Sequence, residues 1–259
     1  MSDFGGRPGA ALVVGGSGGL GLAITRMLAA RGSDVAVTFR SRPDAAAAVV
    51  EAAREWGVQA SSYALDLGAP TAAADAARVV DEVAAERGGI HTLVYAAGPH
   101  VPMTHLSAVD PAAMAAQLNA DAAGFFSVVA PALPHLRTSE GSVVAVTTAA
   151  TARFPVRDGL SSAPKAAVEA MVRALAAEEG RYGVRVNAVG PGMLTDGMAA
   201  RLIDSGELSE EALAITRRNI PLRRFGNAQD IAEAVCFLAS DRAGFVSGQK
   251  LDVDGGYGV

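Results

Sequence analysis

The sequence predicts a single α/β domain of the doubly wound type, with helices covering both faces of a seven-stranded parallel sheet. Short β-branched apolar runs alternate with long alanine-rich stretches along all 259 residues. Within each run the apolar residues are nearly continuous, which is typical of strands buried on both faces. No low-complexity tract or charge block divides the chain, so residues 1–259 are predicted to form one domain.

Seven runs are predicted as strands because each is β-branched and too short for a helix. They lie at 10–14, 34–39, 59–64, 92–96, 142–147, 184–189 and 250–253. Helices are predicted at 19–31, 43–56, 70–87, 110–135, 162–182 and 227–240. Residues 193–226 break this alternation with polar, helix-like segments. We interpret them either as a substrate lid or as a surface helix pair with no role in closure.

Composition excludes several classes of protein. The net charge of −5 argues against nucleic-acid binding through a basic face. The single cysteine, Cys236, permits no internal disulfide and is expected to be a small buried hydrophobe in a reducing compartment. His91, His105 and His135 lack the spacing of metal ligands. No signal peptide or membrane-spanning run is recognisable, so we expect a cytoplasmic protein without a membrane partner.

A glycine-rich segment, "VVGGSGGLGLAI", joins the first predicted strand to the first predicted helix. Gly16, Gly18 and Gly21 fit the spacing G-x-G-x-x-G, and Gly15, Gly19 and Gly21 fit G-x3-G-x-G. Glycine permits a tight turn and a close approach of the backbone to a pyrophosphate, which the helix N-terminus attracts. The segment predicts a dinucleotide site; the alternative is a glycine-rich turn without a ligand.

The second predicted strand ends in "TFRSRPD". Arg40, followed by Ser41 and Arg42, stands where an NAD site usually has an acidic residue for the ribose 2′-hydroxyl. Since a guanidinium suits a 2′-phosphate, we expect NADP(H) as the cofactor. The alternative is that both arginines are solvated charges.

Along nearly its full length the sequence resembles the short-chain dehydrogenase/reductase family. Within that family its overall pattern of motifs is most similar to the 3-oxoacyl-carrier-protein reductases. The motifs that carry this resemblance occur in order. They are "GGSGGLG" (15–21), "LDL" (65–67), "YAAG" (95–98), "LNADAAG" (118–124), "GSVVAVTT" (141–148), Lys165, "YGVRVNAVGPGMLTDGM" (182–198) and "SGQKLDVDGG" (247–256).

The resemblance implies a cofactor site that extends beyond the glycine segment. Asp66 and Leu67 would flank the adenine, although Asp66 could also be a turn residue. The alanines after the fourth strand would line the ribose and nicotinamide. The segment from Pro191 to Thr195 would hold the nicotinamide amide and the diphosphate. The predicted set is Gly15, Ser17, Gly18, Gly19, Leu20, Gly21, Arg40, Ser41, Asp66, Leu67, Ala96, Ala97, Gly98, Lys165, Pro191, Gly192 and Thr195.

The family's active site contains Asn, Ser, Tyr and Lys. Asn119 matches the Asn, which bends its helix and anchors a water. Lys165 matches the Lys, which binds the nicotinamide ribose and lowers the pKa of the phenol, although it could also be a solvated helix lysine. Thr148 stands at the Ser position and keeps a hydroxyl. Ser161 stands at the Tyr position, as a shorter and far weaker acid that could only relay a proton from water or Lys165.

Ser161 has two further interpretations. Ser161 or Ser162 could simply cap the helix, with Pro164 in its first turn. Alternatively, the pattern Ser-x-x-x-Lys resembles the 2,4-dienoyl-CoA reductases, in which hydride goes to a conjugated C=C bond and an enolate forms. That branch carries a tyrosine eleven residues before its serine, where this chain has Ala150.

Three residues could replace the missing acid: Tyr95, His100 and Asp158. Each also has an ordinary interpretation, as a packed ring, a loop histidine and a polar loop residue. Arg153 and Arg157 could attract an acidic substrate, carrier protein or CoA phosphate, or could be solvated loop charges.

We therefore expect an NADPH-dependent reductase of a carbonyl or conjugated enone, on an acyl thioester or a polyketide-like small molecule. The thioester could be carried on acyl carrier protein or CoA. A non-redox enzyme (isomerase, dehydratase or cyclase) and a catalytically silent nucleotide-binding subunit are the alternatives. The resemblance also implies a homotetramer or a homodimer.

Overall fold

A seven-stranded parallel sheet forms the centre of the protein. The computed structural model describes residues 2–98, 101–196 and 210–259. The strands are β1 (Ala10–Val14), β2 (Val35–Phe39), β3 (Ala60–Ala64), β4 (Ile90–Tyr95), β5 (Ser142–Val146), β6 (Arg185–Pro191) and β7 (Lys250–Val253). Their spatial order is β3-β2-β1-β4-β5-β6-β7. Strands β2 and β3 are added on one side of β1, and β4 to β7 are added on the other side. This switch in strand order between β1 and β4 places a ligand crevice at the carboxyl ends of these two strands.

Helices cover both faces of this sheet, which confirms the predicted fold class. They are α1 (Gly19–Ala30), α2 (Pro43–Arg54), α3 (Ala72–Arg87), α4 (Pro111–Leu118), α5 (Gly124–Thr138), α6 (Gly159–Glu179), α7 (Glu210–Asn219) and α8 (Ala228–Ala239). The helix predicted at 110–135 is instead two helices, because a π-turn at Asn119–Ala123 separates α4 from α5. A π-turn accommodates an extra residue, which a 3.6-residue periodicity does not signal.

Two hydrophobic cores lie on opposite faces of the sheet. Alternate β1 residues point to each side, so that Val13 packs beneath α1 and α8 while Leu12 packs beneath α3 and α5. Cys236 belongs to the first core and is fully buried, as predicted. Burial raises the pKa of its thiol to about 12, so it is an unreactive hydrophobe.

The predicted insertion at 193–226 begins directly after β6. A parallel bridge between Leu194 and Gly226 joins its two ends, and it contains α7. Residues 197–209 lie outside the described residues, and the lid role stays a prediction. Among the helices of the described ranges, none has the length and apolar character that crossing a membrane requires.

Candidate active site

A cleft of about 570 Å³ opens at the carboxyl ends of β1, β2, β4 and β5. It contains most of the residues predicted to bind a dinucleotide. From that predicted set, the cleft is lined by Gly15, Ser17, Gly18, Gly19, Leu20, Arg40, Ser41, Asp66, Leu67, Ala96, Ala97, Gly98 and Lys165. It is also lined by Thr38, Arg42, Ala120, Val146 and Thr147, among others.

The glycine segment forms the turn between β1 and α1. Gly15 has φ +80°, and a Cβ there would lie 2.9 Å from the backbone nitrogen of Ala97. Its N–H donates to Thr38 Oγ1 at 3.0 Å, which fixes the turn against β2. Gly18 precedes α1 without a side-chain cap, so the first N–H groups of the helix are available to an anion.

Gly21 lies beneath this turn, and we expect Gly21→Ala to disrupt dinucleotide binding. A Cβ there would lie 2.9 Å from the carbonyl carbon of Gly15 and would overlap its oxygen. Such overpacking costs about 1–3 kcal/mol, which corresponds to a dissociation constant raised about 10- to 100-fold. Calorimetric titration with NADPH measures it. Gly180→Ala, at a helical position with open space around it, is the control, and equal affinities would contradict the packing argument.

The end of β2 brings positive charge to the cleft. Arg40 and Arg42 are both exposed and both line the cleft, and the Arg42 guanidinium lies against Gly18. In the described part of the chain neither side chain has a carboxylate partner. Arg40 and Ser41 were predicted in the site from the sequence, and Arg42 lines the cleft beside them.

Asp66 is a turn residue that also lines the cleft, and its contact with an adenine stays a prediction. Its carboxylate accepts the N–H of Gly68 at 3.0 Å, as a turn residue does, and it also lines the cleft beside Leu67. On the opposite wall, the chain leaving β4 supplies Ala96, Ala97 and Gly98.

Three predicted cofactor residues, Pro191, Gly192 and Thr195, lie at the end of β6 and do not line this cleft. The Gly192 N–H donates to Val253 O at 3.0 Å. The Thr195 hydroxyl donates to Gly226 O at 3.3 Å. Their contact with a cofactor stays a prediction.

Lys165 reaches from α6 into the cleft. Its Nζ donates to Asp121 Oδ1 at 2.9 Å and to the carbonyl oxygens of Val146 and Ala97 at 3.3 and 3.4 Å. The ammonium also lies 5.7 Å from the ring centroid of Tyr95. The interpretation as a solvated helix lysine is therefore wrong.

A π-turn begins at Asn119, where the resemblance predicted a bend in the helix, and a water anchored by Asn119 stays a prediction. The Asn119 side chain is exposed at the start of the π-turn. Asp121, two residues later, is buried and contacts Lys165. Asp121 was not predicted from the sequence, because the π-turn changes which side chains face α6. One signal was present, since Asp121 is the single acidic residue between positions 111 and 138.

Ser161 lies in the first turn of α6, four residues before Lys165, so both side chains share one helix face. The capping interpretation is wrong because α6 begins at Gly159, three residues earlier than predicted. Pro164 consequently lies inside the helix and not in its first turn. Ser162 Oγ donates to Asp158 O at 3.0 Å. The half-buried Ser161 hydroxyl has no hydrogen-bond partner among the described residues, and Ser161 is not among the residues that line the cleft.

Thr148 follows β5 and is half-buried. Its Oγ1 accepts the N–H of Ala150 at 3.1 Å and so caps a short 3₁₀ turn. This bond leaves the hydroxyl proton free to donate. The neighbouring Thr147 lines the cleft and donates to Val189 O at 3.3 Å.

Of the alternative acids, Tyr95 is unsuited to proton donation. Its ring is fully buried, and its hydroxyl donates to Asp121 O at 3.0 Å. Burial, and secondarily the charge of Asp121, raises the pKa of this phenol well above its usual value. Asp158 is half-buried beside Ser161, and desolvation raises the pKa of its carboxyl to about 6. His100 lies outside the described residues.

No group of three or more potential metal ligands occurs among the residues that the structure describes. Of the histidines, His91 is buried against Phe4, and burial lowers the pKa of its imidazole to about 4. It supports the fold and lies away from the cleft residues.

A family model described as "Enoyl-(Acyl carrier protein) reductase" matches residues 14–258. The chain belongs to the short-chain dehydrogenase/reductase family of oxidoreductases. It is 33% identical over 248 residues to a 3-oxoacyl-[acyl-carrier-protein] reductase of Staphylococcus epidermidis, covering 95% of this chain and 97% of that one. It is 32% identical over 252 residues to a versicolorin reductase of Emericella nidulans, covering 95% and 94%.

Solved structures of this family have the same architecture. A short-chain dehydrogenase of Burkholderia cenocepacia in complex with NADP superposes with a TM-score of 0.87 at 30% identity, covering 97% of this chain and 98% of that one. A short-chain dehydrogenase/reductase of Mycobacterium ulcerans gives a TM-score of 0.90 at 28% identity, covering 98% and 91%. The seven-stranded sheet is thus the family's fold.

Proposed function

We propose that this oxidoreductase uses NADPH to reduce a carbonyl or a conjugated enone, on an acyl thioester or a polyketide-like substrate. One observation carries the proposal: a single cleft joins the phosphate turn at Gly18 to the buried ammonium of Lys165. A dinucleotide whose pyrophosphate rests on the turn would bring its nicotinamide ribose toward Lys165. A silent subunit would have no need of this lysine.

The choice of NADP(H) rests on charge. Arg40 and Arg42 offer guanidinium groups at the adenosine end, and both suit a 2′-phosphate. The similar Burkholderia cenocepacia protein, bound to NADP, supports the same cofactor. Bound NADPH supplies the hydride.

The residues around Lys165 would supply the proton and stabilise the developing negative charge. On a ketone, the oxygen gains negative charge and needs a proton, which the Ser161 hydroxyl would relay from Lys165 or water. On an enone, Thr148 and Ser161 would donate hydrogen bonds to the enolate oxygen, and water would protonate the carbon. The second route depends less on a strong acid at position 161.

The substrate's carrier is suggested by the relatives. The Staphylococcus epidermidis reductase acts on a 3-oxoacyl group of acyl carrier protein, and the family model is named for an enoyl group on the same carrier. Arg153 and Arg157 are exposed and would favour an acidic carrier. Arg153 is also held by Tyr257, whose carbonyl accepts from its Nη1 at 3.0 Å. The homotetramer or homodimer stays a prediction.

One observation favours a second candidate function. With Ser161 in place of a phenol, the site would offer hydrogen-bond donors without the family's usual acid, which would suit an isomerase, dehydratase or cyclase. Such an enzyme would convert its substrate without net consumption of NADPH.

The test is NADPH oxidation by the purified protein and by Ser161→Tyr, with two matched thioesters. One thioester carries a β-keto group and the other a 2-enoyl or 2,4-dienoyl group. Turnover of the enoyl substrate alone would support enone reduction. Turnover of the β-keto substrate would indicate a ketoreductase that lacks a strong acid. Its rate should be about 10²–10⁴-fold below that of an enzyme with a placed general acid. Bound NADPH without oxidation of either kind would contradict the reductase function.

A further inference from the structure

The buried ion pair between Asp121 and Lys165 distinguishes this active site. We propose that Asp121 is a positioning residue that holds the Lys165 ammonium and cancels its charge, so that the site is matched to a serine at position 161 and cannot activate a phenol there. The proposal rests on the proposed function and deepens it, since it assigns the site to chemistry that needs no strong acid.

The geometry shows how firmly the ammonium is held. The Nζ–Oδ1 distance is 2.9 Å, and the side chains of Lys165 and Asp121 are 12% and 2% exposed. Two backbone carbonyl oxygens, of Val146 and Ala97, accept from the same ammonium. The lysine therefore lies in one position at the edge of the cleft, and little water screens its contact with Asp121.

Tyr95 fixes the carboxylate side of the pair. Its hydroxyl donates to the backbone oxygen of Asp121 at 3.0 Å, and its ring lies near the ammonium. This hydrogen bond joins the end of β4 to the π-turn between α4 and α5. The π-turn that directs Asp121 at Lys165 is thus supported from the core of the protein.

The consequence for position 161 is electrostatic. An isolated ammonium one helical turn away would favour the ionised form of an acid at position 161 and lower its pKa. An ammonium with a carboxylate 2.9 Å from it presents a dipole, whose influence falls off much faster with distance. A phenol introduced at position 161 would therefore not be activated while Asp121 is present.

Four proteins test this inference: the parent, Ser161→Tyr, Asp121→Asn and the double variant. The introduced phenol is titrated by the ultraviolet difference spectrum between each tyrosine variant and its own serine parent, without substrate. We expect it to titrate about 1–2 pH units lower in the Asp121→Asn background. If it titrates at the same pH in both backgrounds, Asp121 does not control the charge at this position, and the proposal is overturned.

Kinetics give a second, independent readout. The parameter is kcat/KM for NADPH-driven reduction of a β-keto thioester. We expect the change in kcat/KM of the double variant to exceed the product of the changes in the two single variants by about tenfold. Additive effects would count against the proposal. If no variant reduces any substrate, the proposed function fails, while the phenol titration still decides the role of Asp121.

Controls distinguish an effect of the Asp121 charge from a loss of folding. Asp110→Asn removes an exposed carboxylate from the same segment and keeps an N-cap residue for α4, so it should leave the titration unchanged. Thermal melts show which variants fold. If Asp121→Asn does not, Asp121→Ala removes the same charge with a smaller side chain, and the same shift is expected.

Discussion

Replacing Lys165 by methionine is expected to lower kcat/KM for NADPH-driven reduction by about 10²–10⁴-fold. The substitution removes the ammonium that would bind the nicotinamide ribose and supply the relayed proton, while it keeps an unbranched side chain of similar length. It also leaves Asp121 buried without its partner. The free energy of unfolding should therefore fall by about 3 kcal/mol, and activity should be measured well below the melting temperature.

The matched control for this experiment is Arg173→Met. Arg173 lies on the same helix as Lys165, is exposed and does not line the cleft. Its replacement should change neither activity nor stability appreciably. Equal activity of the parent and the Lys165 variant would show that Lys165 takes no part in the reaction and would remove the main support of the proposed function.

Replacing Arg40 and Arg42 together by alanine is expected to reduce the preference for NADPH over NADH by about 10²–10⁴-fold. A hydrogen bond to a charged group contributes about 1.5–3 kcal/mol, and two guanidinium groups are available to one 2′-phosphate. Affinity for NADH should change little, because NADH lacks that phosphate. The ratio of kcat/KM values for the two cofactors measures the effect.

Arg26→Ala serves as the control for the arginine experiment, because Arg26 is exposed on α1 and does not line the cleft. If the double variant keeps its preference for NADPH, both arginines are solvated charges and other groups recognise the 2′-phosphate. If the preference falls instead, the single variants show how much each arginine contributes, since Arg42 lies against Gly18 and Arg40 lies nearer to the end of β2.

The strands and the glycine turn between β1 and α1 were determined by local sequence. A buried parallel strand needs a short β-branched apolar run, and each of the seven predicted runs forms a strand within about two residues of its predicted ends. The turn at Gly15 needs a positive φ and room for the backbone of Ala97, which glycine alone provides. The β-branched runs and the glycine spacing are local features, so they can be recognised in the sequence, whereas the contact between Gly15 and Ala97 joins residues that are distant in the chain.

Part of the active site was decided only by tertiary structure. Asp121 and Lys165 are 44 residues apart, and they meet because a π-turn and α6 pack together. Asp121 lies in the same segment as Asn119, and which side chains of that segment face α6 depends on helix geometry that a 3.6-residue period does not describe. Likewise, whether Ser161 caps α6 depends on where the helix begins. Contacts between distant segments determine these features, whereas the local sequence determines the strands of the sheet.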